Sequence, residues 1–294
     1  GDVDGAFAAA ELIVEDEFRT PIVTHAPIET HVQVAEVDAN GRLTIYVANQ
    51  VPNILRERIA KALGMRIGQL RVIRYHIGAG FGGKQEPIYE PITACLALKT
   101  RRPVMLELTR EESLATTRTR HSSHFKTRTA LKKDGTILAR EISVVNNTGA
   151  YSAHGHNVIL AMISKFMMMY PTPNLRFSGR SIYTNILIGS AMRGYGSPQI
   201  NFAMESHIDH IAAVLGRDPL EYRRQVAFKM GDPVYAPDTH VLTCGLPEAL
   251  AWGAEAVDYE NLVKQPKDNG YLKRGVGLSL SVYNQSCYPH SVEL

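Results

Sequence analysis

Apolar and polar positions alternate with a period of two through residues 30–37 and 42–48, and Asn40-Gly41 between them suits a tight turn, so the pattern predicts a β-hairpin. Over residues 54–63 the apolar spacing becomes helical and stops at Gly64, a residue suited to closing a helix. Residues 70–77 then predict a strand and residues 88–99 a helix, with Pro87 near its start; residues 103–108 predict a buried strand. A second hairpin is predicted from residues 123–131 and 137–146 around Asp134-Gly135. Residues 150–175 show no clear period and read as irregular, with Tyr170-Pro171-Thr172-Pro173 as a loop. Residues 179–185 predict a strand and residues 200–215 a helix ended by Gly216. Asp218-Pro219-Leu220-Glu221 opens another helix with a capping-box pattern and proline at its first position. Residues 1–20 read as a linker. Hairpins mixed with helices predict an α+β fold rather than strict βαβ alternation.

Composition narrows the function classes. The 294 residues are 45% apolar and 21% charged, ordinary for a soluble protein with a real core. A net charge of +3, with the basic residues scattered, gives no phosphate track for nucleic acid, and residues 126–133 read as a solvated strand pair. No apolar run approaches the ~18 residues of a membrane span, and the start carries no signal-peptide pattern. Cys95, Cys244 and Cys287 form no paired motif, so the cysteines support neither a zinc nor an iron–sulfur site. An odd count of thiols points to a reducing, cytoplasmic setting. The pairs His207/His210, His121/His124 and His154/His156 read as satisfied surface or interface histidines, and Met167-Met168-Met169 as packing or a channel lining.

The candidate chemistry lies in Gly78-Ala79-Gly80-Phe81-Gly82-Gly83-Lys84-Gln85, placed between a predicted strand and a predicted helix. Such a junction offers free backbone N–H groups and a helix N-terminus to an anionic or oxo-bearing ligand, and its glycines let the ligand approach the backbone. Gly78, Gly83 and Lys84 match a phosphate loop, but Gln85 replaces the magnesium-binding hydroxyl. Gly78, Gly80 and Gly83 match a dinucleotide fingerprint, with Glu107 near the ribose position. The turn also suits plain packing without a ligand.

Further segments accompany this turn: Ala48-Asn49-Gln50-Val51-Pro52, His25-Ala26-Pro27-Ile28-Glu29, the stretch from Leu106 to Glu112, Ala191-Met192-Arg193-Gly194-Tyr195-Gly196-Ser197-Pro198-Gln199, and the helix from Asp218. In their order along the chain they resemble the molybdenum-binding subunit of the xanthine dehydrogenase/aldehyde oxidase family. The resemblance implies that family's cofactor-binding fold, mixed sheets with packed helices, with residues 21–294 as the first half of a molybdopterin-binding region. It implies a molybdopterin held through its own dithiolene sulfurs, in the plain or cytosine dinucleotide form, so that no protein side chain ligates the metal. Gln50, Gly80, Phe81, Gly82 and Arg193 are then the cofactor-binding residues, with Gln50 donating to an oxo group. Gln85 and Tyr195 are the substrate-binding residues, Tyr195 packing on a flat ring. The implied reaction is hydroxylation of a carbon beside a ring nitrogen, as in a purine, or of an aldehyde, with water as oxygen source. Iron–sulfur and FAD subunits or domains would take the electrons.

Two departures qualify the resemblance. Members that act on xanthine commonly carry Glu where this chain has Gln85, and an Arg in the region that reads Leu160-Ala161-Met162-Ile163 here. The family's general-base glutamate falls beyond Leu294, so no catalytic residue is expected in this chain, which is expected to be inactive alone and completed by a second half-subunit or further sequence. Two other readings stay open on the residues: a nucleotide-binding enzyme using residues 78–84 for NAD or ATP, and a non-catalytic structural half of a split subunit.

Overall fold

The computed structural model describes residues 1–234, 239–265 and 268–281. Helix α1 (Val3–Ala8) leads into strands β1 (Leu12–Thr20) and β2 (Val23–Thr24). The first predicted hairpin is β3 (Val32–Val37) and β4 (Leu43–Val47), followed by α2 (Pro52–Ala62) and β5 (Leu70–Arg74). Next come α3 (Glu90–Thr100), β6 (Val104–Glu107), α4 (Arg110–Thr116) and β7 (Thr119–Arg120). The second hairpin, β8 (Ser123–Leu131) and β9 (Ile137–Gly149), precedes α5 (Gly155–Met169) and β10 (Asn174–Tyr183). Helices α6 (Ser197–Val214), α7 (Pro219–Val226), α8 (Leu246–Ala256) and α9 (Tyr259–Lys264) follow.

Two four-stranded sheets carry these elements. The first has the order β5-β4-β3-β6, parallel only between β4 and β5. Leu43, Ile45 and Leu70 of this sheet pack on Leu55 and Ile59 of α2 and on Ala94 and Ala97 of α3. The second has the order β1-β8-β9-β10, parallel only between β9 and β10. Phe125, Ile142 and Val144 of this sheet share a core with Val158, Met162 and Phe166 of α5 and Ile200, Met204, Ile208 and Ile211 of α6. Each such fully buried side chain contributes about 1.5–3 kcal/mol of burial energy. The mixed sheets with packed helices match the expected α+β class.

Three expectations are corrected. Residues 1–20 are not a linker: β1 pairs with β8 along its whole length, from Leu12 opposite Leu131 to Thr20 opposite Ser123. The charges at Glu15, Asp16, Glu17 and Arg19 hide this strand in the sequence; Asp16 is answered by His207 and His210 of α6, and Glu17 by His124 of β8. Residues 150–175 are not irregular, because fifteen of them form α5. This helix has no side-chain N-cap. Its C-terminal carbonyls are satisfied from a distant strand instead: Arg140 Nη2 donates to Phe166 O (3.0 Å) and Tyr170 O (2.7 Å). A helix capped by tertiary contacts carries no local start or stop signal. Finally, β6 is an edge strand rather than a buried one, with Met105 61% exposed.

The predicted cap of α7 forms, Asp218 accepting from Leu220 N–H and Glu221 N–H at 2.8 and 3.2 Å. Met169 joins the core. His207 is fully buried between Asp16 (2.5 Å) and Thr129 (2.9 Å) rather than at the surface. Cys95 and Cys244 are free thiols, and Cys287 lies outside the described residues.

Candidate cofactor and substrate site

The glycine turn does not open a helix. Helix α3 starts only at Glu90, whose carboxylate folds back on the chain before it, accepting from Ile88 N–H (2.7 Å) and Tyr89 N–H (3.1 Å). The turn and the helix are therefore separated in the chain rather than joined as a turn–helix junction, which corrects the sequence expectation. Lys84 does not face outward either. Its ammonium is buried and donates to the Glu29 carboxylate and to the carbonyls of Glu29 and Thr30, both at 3.1 Å. A phosphate-loop lysine must be free to meet phosphate, and this one is committed inside the protein. The dinucleotide reading fails on topology, since Glu107 sits on β6, separated from β5 by two strands.

What holds the turn is Gln50, in the loop between β4 and α2. Its Oε1 accepts from Gly82 N–H (2.9 Å) and Lys84 N–H (3.3 Å), and its own N–H donates to Lys84 O (2.8 Å). Two N–H donors fix which end of the amide is oxygen. The Nε2 group is thereby turned away from the loop, and no hydrogen bond from it is made among the described residues. Gly80 is required for this fit, because a Cβ there would stand 2.5 Å from Gln50 Oε1.

The second glycine segment docks on the first. Arg193 N–H donates to Phe81 O (2.9 Å), and Gly82, at φ +100°, lies against the Ala191 carbonyl. His25 fastens the pair, contacting Ala191 O at 2.7 Å and Arg118 O at 3.1 Å, with its ring against Gly83. Phe81 stands exposed at φ +52°, and Arg193 is exposed as well. Arg120 supports the second segment through Arg193 O (2.7 Å) and Gln199 Oε1 (3.2 Å). The glycines thus serve the approach of loop to loop more than the approach of a ligand.

Gln50, Gly80, Phe81, Gly82 and Arg193 are therefore brought together. Gln85 follows the turn, half-buried. Tyr195 is partly buried, its ring edge-on to His154 at 5.6 Å and 87°, and its hydroxyl 2.6 Å from His154 Nδ1. Sequence reasoning missed Glu86, which sits beneath both segments. Its Oε2 accepts from Arg118 Nε (2.8 Å) and Ser190 Oγ (2.7 Å), and its Oε1 lies 3.8 Å from His154 Nε2 and from Arg58 Nη1. Burial pushes the Glu86 carboxyl up, but the Ser190 and Arg118 hydrogen bonds outweigh it and hold the group below the usual Glu value. Burial lowers His154, and pushes His31 and His121 down to about 4. The only available signals for Glu86 were its place directly after Gln85 and the presence of an arginine, Arg118, that needed a partner.

The family of molybdopterin cofactor-binding domains matches residues 1–227 of this chain. The chain belongs to that family. It is 35% identical, over all of its own length, to the putative xanthine dehydrogenase molybdenum-binding subunit XdhA of Escherichia coli K12, of which it covers 39%. It is 33% identical to the nicotinate dehydrogenase large molybdopterin subunit of Eubacterium barkeri over 85% of this chain and 59% of that one. Among solved structures, the aldehyde oxidoreductase of Desulfovibrio gigas superposes with a TM-score of 0.83 at 32% identity, covering 90% of this chain and 29% of that one. The chain thus spans about two fifths or less of the first of these relatives and of this structure. The xanthine dehydrogenase/aldehyde oxidase kinship expected from the motifs holds. The residues present fit the cofactor of this family: the outward Gln50 amide is a neutral donor, which can meet a metal-oxo group without adding charge. Among the described residues no helix is long and apolar enough to cross a membrane.

Proposed function

We propose that this chain forms the first half of the molybdopterin-binding region of a molybdenum hydroxylase that acts on an N-heteroaromatic ring such as a purine or nicotinate. The observation that carries this is the Gln50 amide, locked by the turn's own N–H groups with its donor end directed away from them. Gln50 would hold the cofactor's oxo group through Nε2. The backbone of Gly80, Phe81 and Gly82 would form one wall beside it, and the Arg193 segment the other. When bound, the cofactor would supply oxygen transfer from water and accept two electrons from the substrate. The chain's own residues bind and orient. Gln85 offers a neutral amide to a ring nitrogen, donating or accepting, where an acid would bring charge. Tyr195 offers an aromatic face to a flat ring.

On this reading the general-base glutamate would lie outside these 294 residues, which cover 39% of the Escherichia coli K12 relative. Iron–sulfur and FAD partners, a second molybdopterin half, the cytosine dinucleotide form of the cofactor and a cytoplasmic location complete the reading. The test is the molybdenum and pterin content of the assembly purified from its native source, followed by turnover with hypoxanthine, xanthine, nicotinate and an aromatic aldehyde. About one molybdenum and one pterin per copy of this chain, with turnover of a heteroaromatic ring, is expected. An intact assembly lacking both overturns the reading, and turnover of the aldehyde alone overturns the substrate class.

A further inference from the structure

Three residues from three separate segments line up beside the docked glycine segments. Tyr195 belongs to the second glycine segment and holds a left-handed backbone at φ +45°, a region that aromatic residues seldom occupy. Contacts must therefore hold it. Its N–H donates to Met192 O at 2.7 Å, and its hydroxyl meets His154 Nδ1 at 2.6 Å. His154 is the residue that directly precedes α5. Glu86 comes directly after Gln85, and one of its oxygens is fixed by both Arg118 and Ser190. The other oxygen lies 3.8 Å from His154 Nε2, an electrostatic distance rather than a hydrogen-bonding one.

A tautomer follows from this arrangement. A negative Glu86 favours the proton on His154 Nε2, which leaves Nδ1 as an acceptor. Tyr195 must then donate its hydroxyl proton to Nδ1, and the ring is held at both ends, by its backbone turn and by its oxygen.

Resting on the reading of Tyr195 as the aromatic wall, we infer that Glu86 and His154 are positioning residues that fix the Tyr195 ring against a bound heteroaromatic substrate. Neither touches the substrate. Glu86 sets the imidazole, and the imidazole sets the tyrosine.

The test uses the assembled enzyme carrying Tyr195→Phe, His154→Ala, His154→Asn or the double change of Tyr195→Phe with His154→Ala. Hypoxanthine and nicotinate are the turnover probes. Losing the His154–Tyr195 hydrogen bond is expected to raise KM about five- to tenfold in Tyr195→Phe and in His154→Ala, with kcat within about twofold. The double variant is expected to be no worse than either single one, because both remove the same contact. His154→Asn, whose amide can accept near the Nδ1 position, is expected to recover most of the loss. A second readout needs no cofactor: the tyrosine doublet in the Raman spectrum, whose intensity ratio follows whether the hydroxyl donates. The Tyr195 contribution, taken as wild type minus Tyr195→Phe, is expected to show a donor that vanishes in His154→Ala and returns in His154→Asn.

Unchanged KM in both single variants with molybdenum retained overturns the positioning role and leaves the hydroxylase reading standing. So does an additive double variant, or a loss in His154→Ala that asparagine does not restore. A wild-type assembly without molybdenum and without turnover fails the underlying reading, and the positioning role falls with it.

Discussion

Gly82 lies so close to Ala191 that a Cβ on it would stand 2.5 Å from the Ala191 carbonyl oxygen. This contact joins the two glycine segments, and it permits no side chain on one side. Gly82→Ala therefore combines a clash with backbone with an unfavourable φ of +100°. A destabilisation of about 1–3 kcal/mol is expected, with cofactor content falling further than stability. Chemical denaturation and molybdenum content measured together check it. A variant with wild-type values for both would show that the two loops are not held as described.

On the proposed function, Gln50 has separable duties at its two ends. Gln50→Ala leaves the Gly82 and Lys84 N–H groups without their acceptor and is expected to cost about 1–3 kcal/mol of stability. Gln50→Glu keeps an acceptor for both but removes the outward donor and adds a charge. It is expected to fold with a near-normal melting temperature and to lose most bound molybdenum. Full metal loading in Gln50→Glu would remove the amide donor from the cofactor site.

Lys84 distinguishes this turn from a nucleotide loop. Lys84→Met strands the buried side of Glu29 and two carbonyls, and is expected to destabilise by about 3–5 kcal/mol. Millimolar ATP or NAD is expected to leave the melting temperature of the unaltered protein where it was. A nucleotide-dependent rise of several degrees would contradict the buried role of this lysine.

Acid is expected to unfold the protein early. His31 and His121, pushed by burial to about 4, resist protons that an unfolded chain accepts near the ordinary histidine value of about 6.5. Their contribution is complete above that value and is lost as pH falls toward 4. Asp16 acts in the same direction: burial raises it, but the bonds to His207 and His210 outweigh burial and lower it, so its contribution also fades in acid. At pH 5 the two histidines together should remove on the order of 2–4 kcal/mol. Melting temperatures between about pH 7 and pH 5 check this, and His121→Gln should flatten the slope. A flat profile in the unaltered protein would refute it.

The sequence made legible what depends on neighbours along the chain. The hairpin turns at Gly41 and Gly135, both at positive φ, and the Asp218 cap all follow from local residue chemistry. The motif segments identified the family because their order survives in a single reading of the chain. What stayed hidden depends on partners far away. Helix α5 is closed by Arg140, and β1 disguises its strand with charges answered by α6. Lys84 looked like a phosphate ligand until Glu29 was found beside it. His154 read as a surface histidine because neither Glu86 nor Tyr195 lies near it in sequence.

His25 meets Ala191 across 166 positions of chain, and Ser190 meets Glu86 across 104. Joins of that span close only after the intervening sheet and helices are in place. The two glycine segments are thus expected to join late in folding, after its rate-limiting step. Weakening them is expected to hasten opening of the finished protein while hardly slowing its formation. A cofactor bound between the two segments, as proposed, would then act as a clasp, lengthening the lifetime of the joined segments rather than guiding the chain toward them.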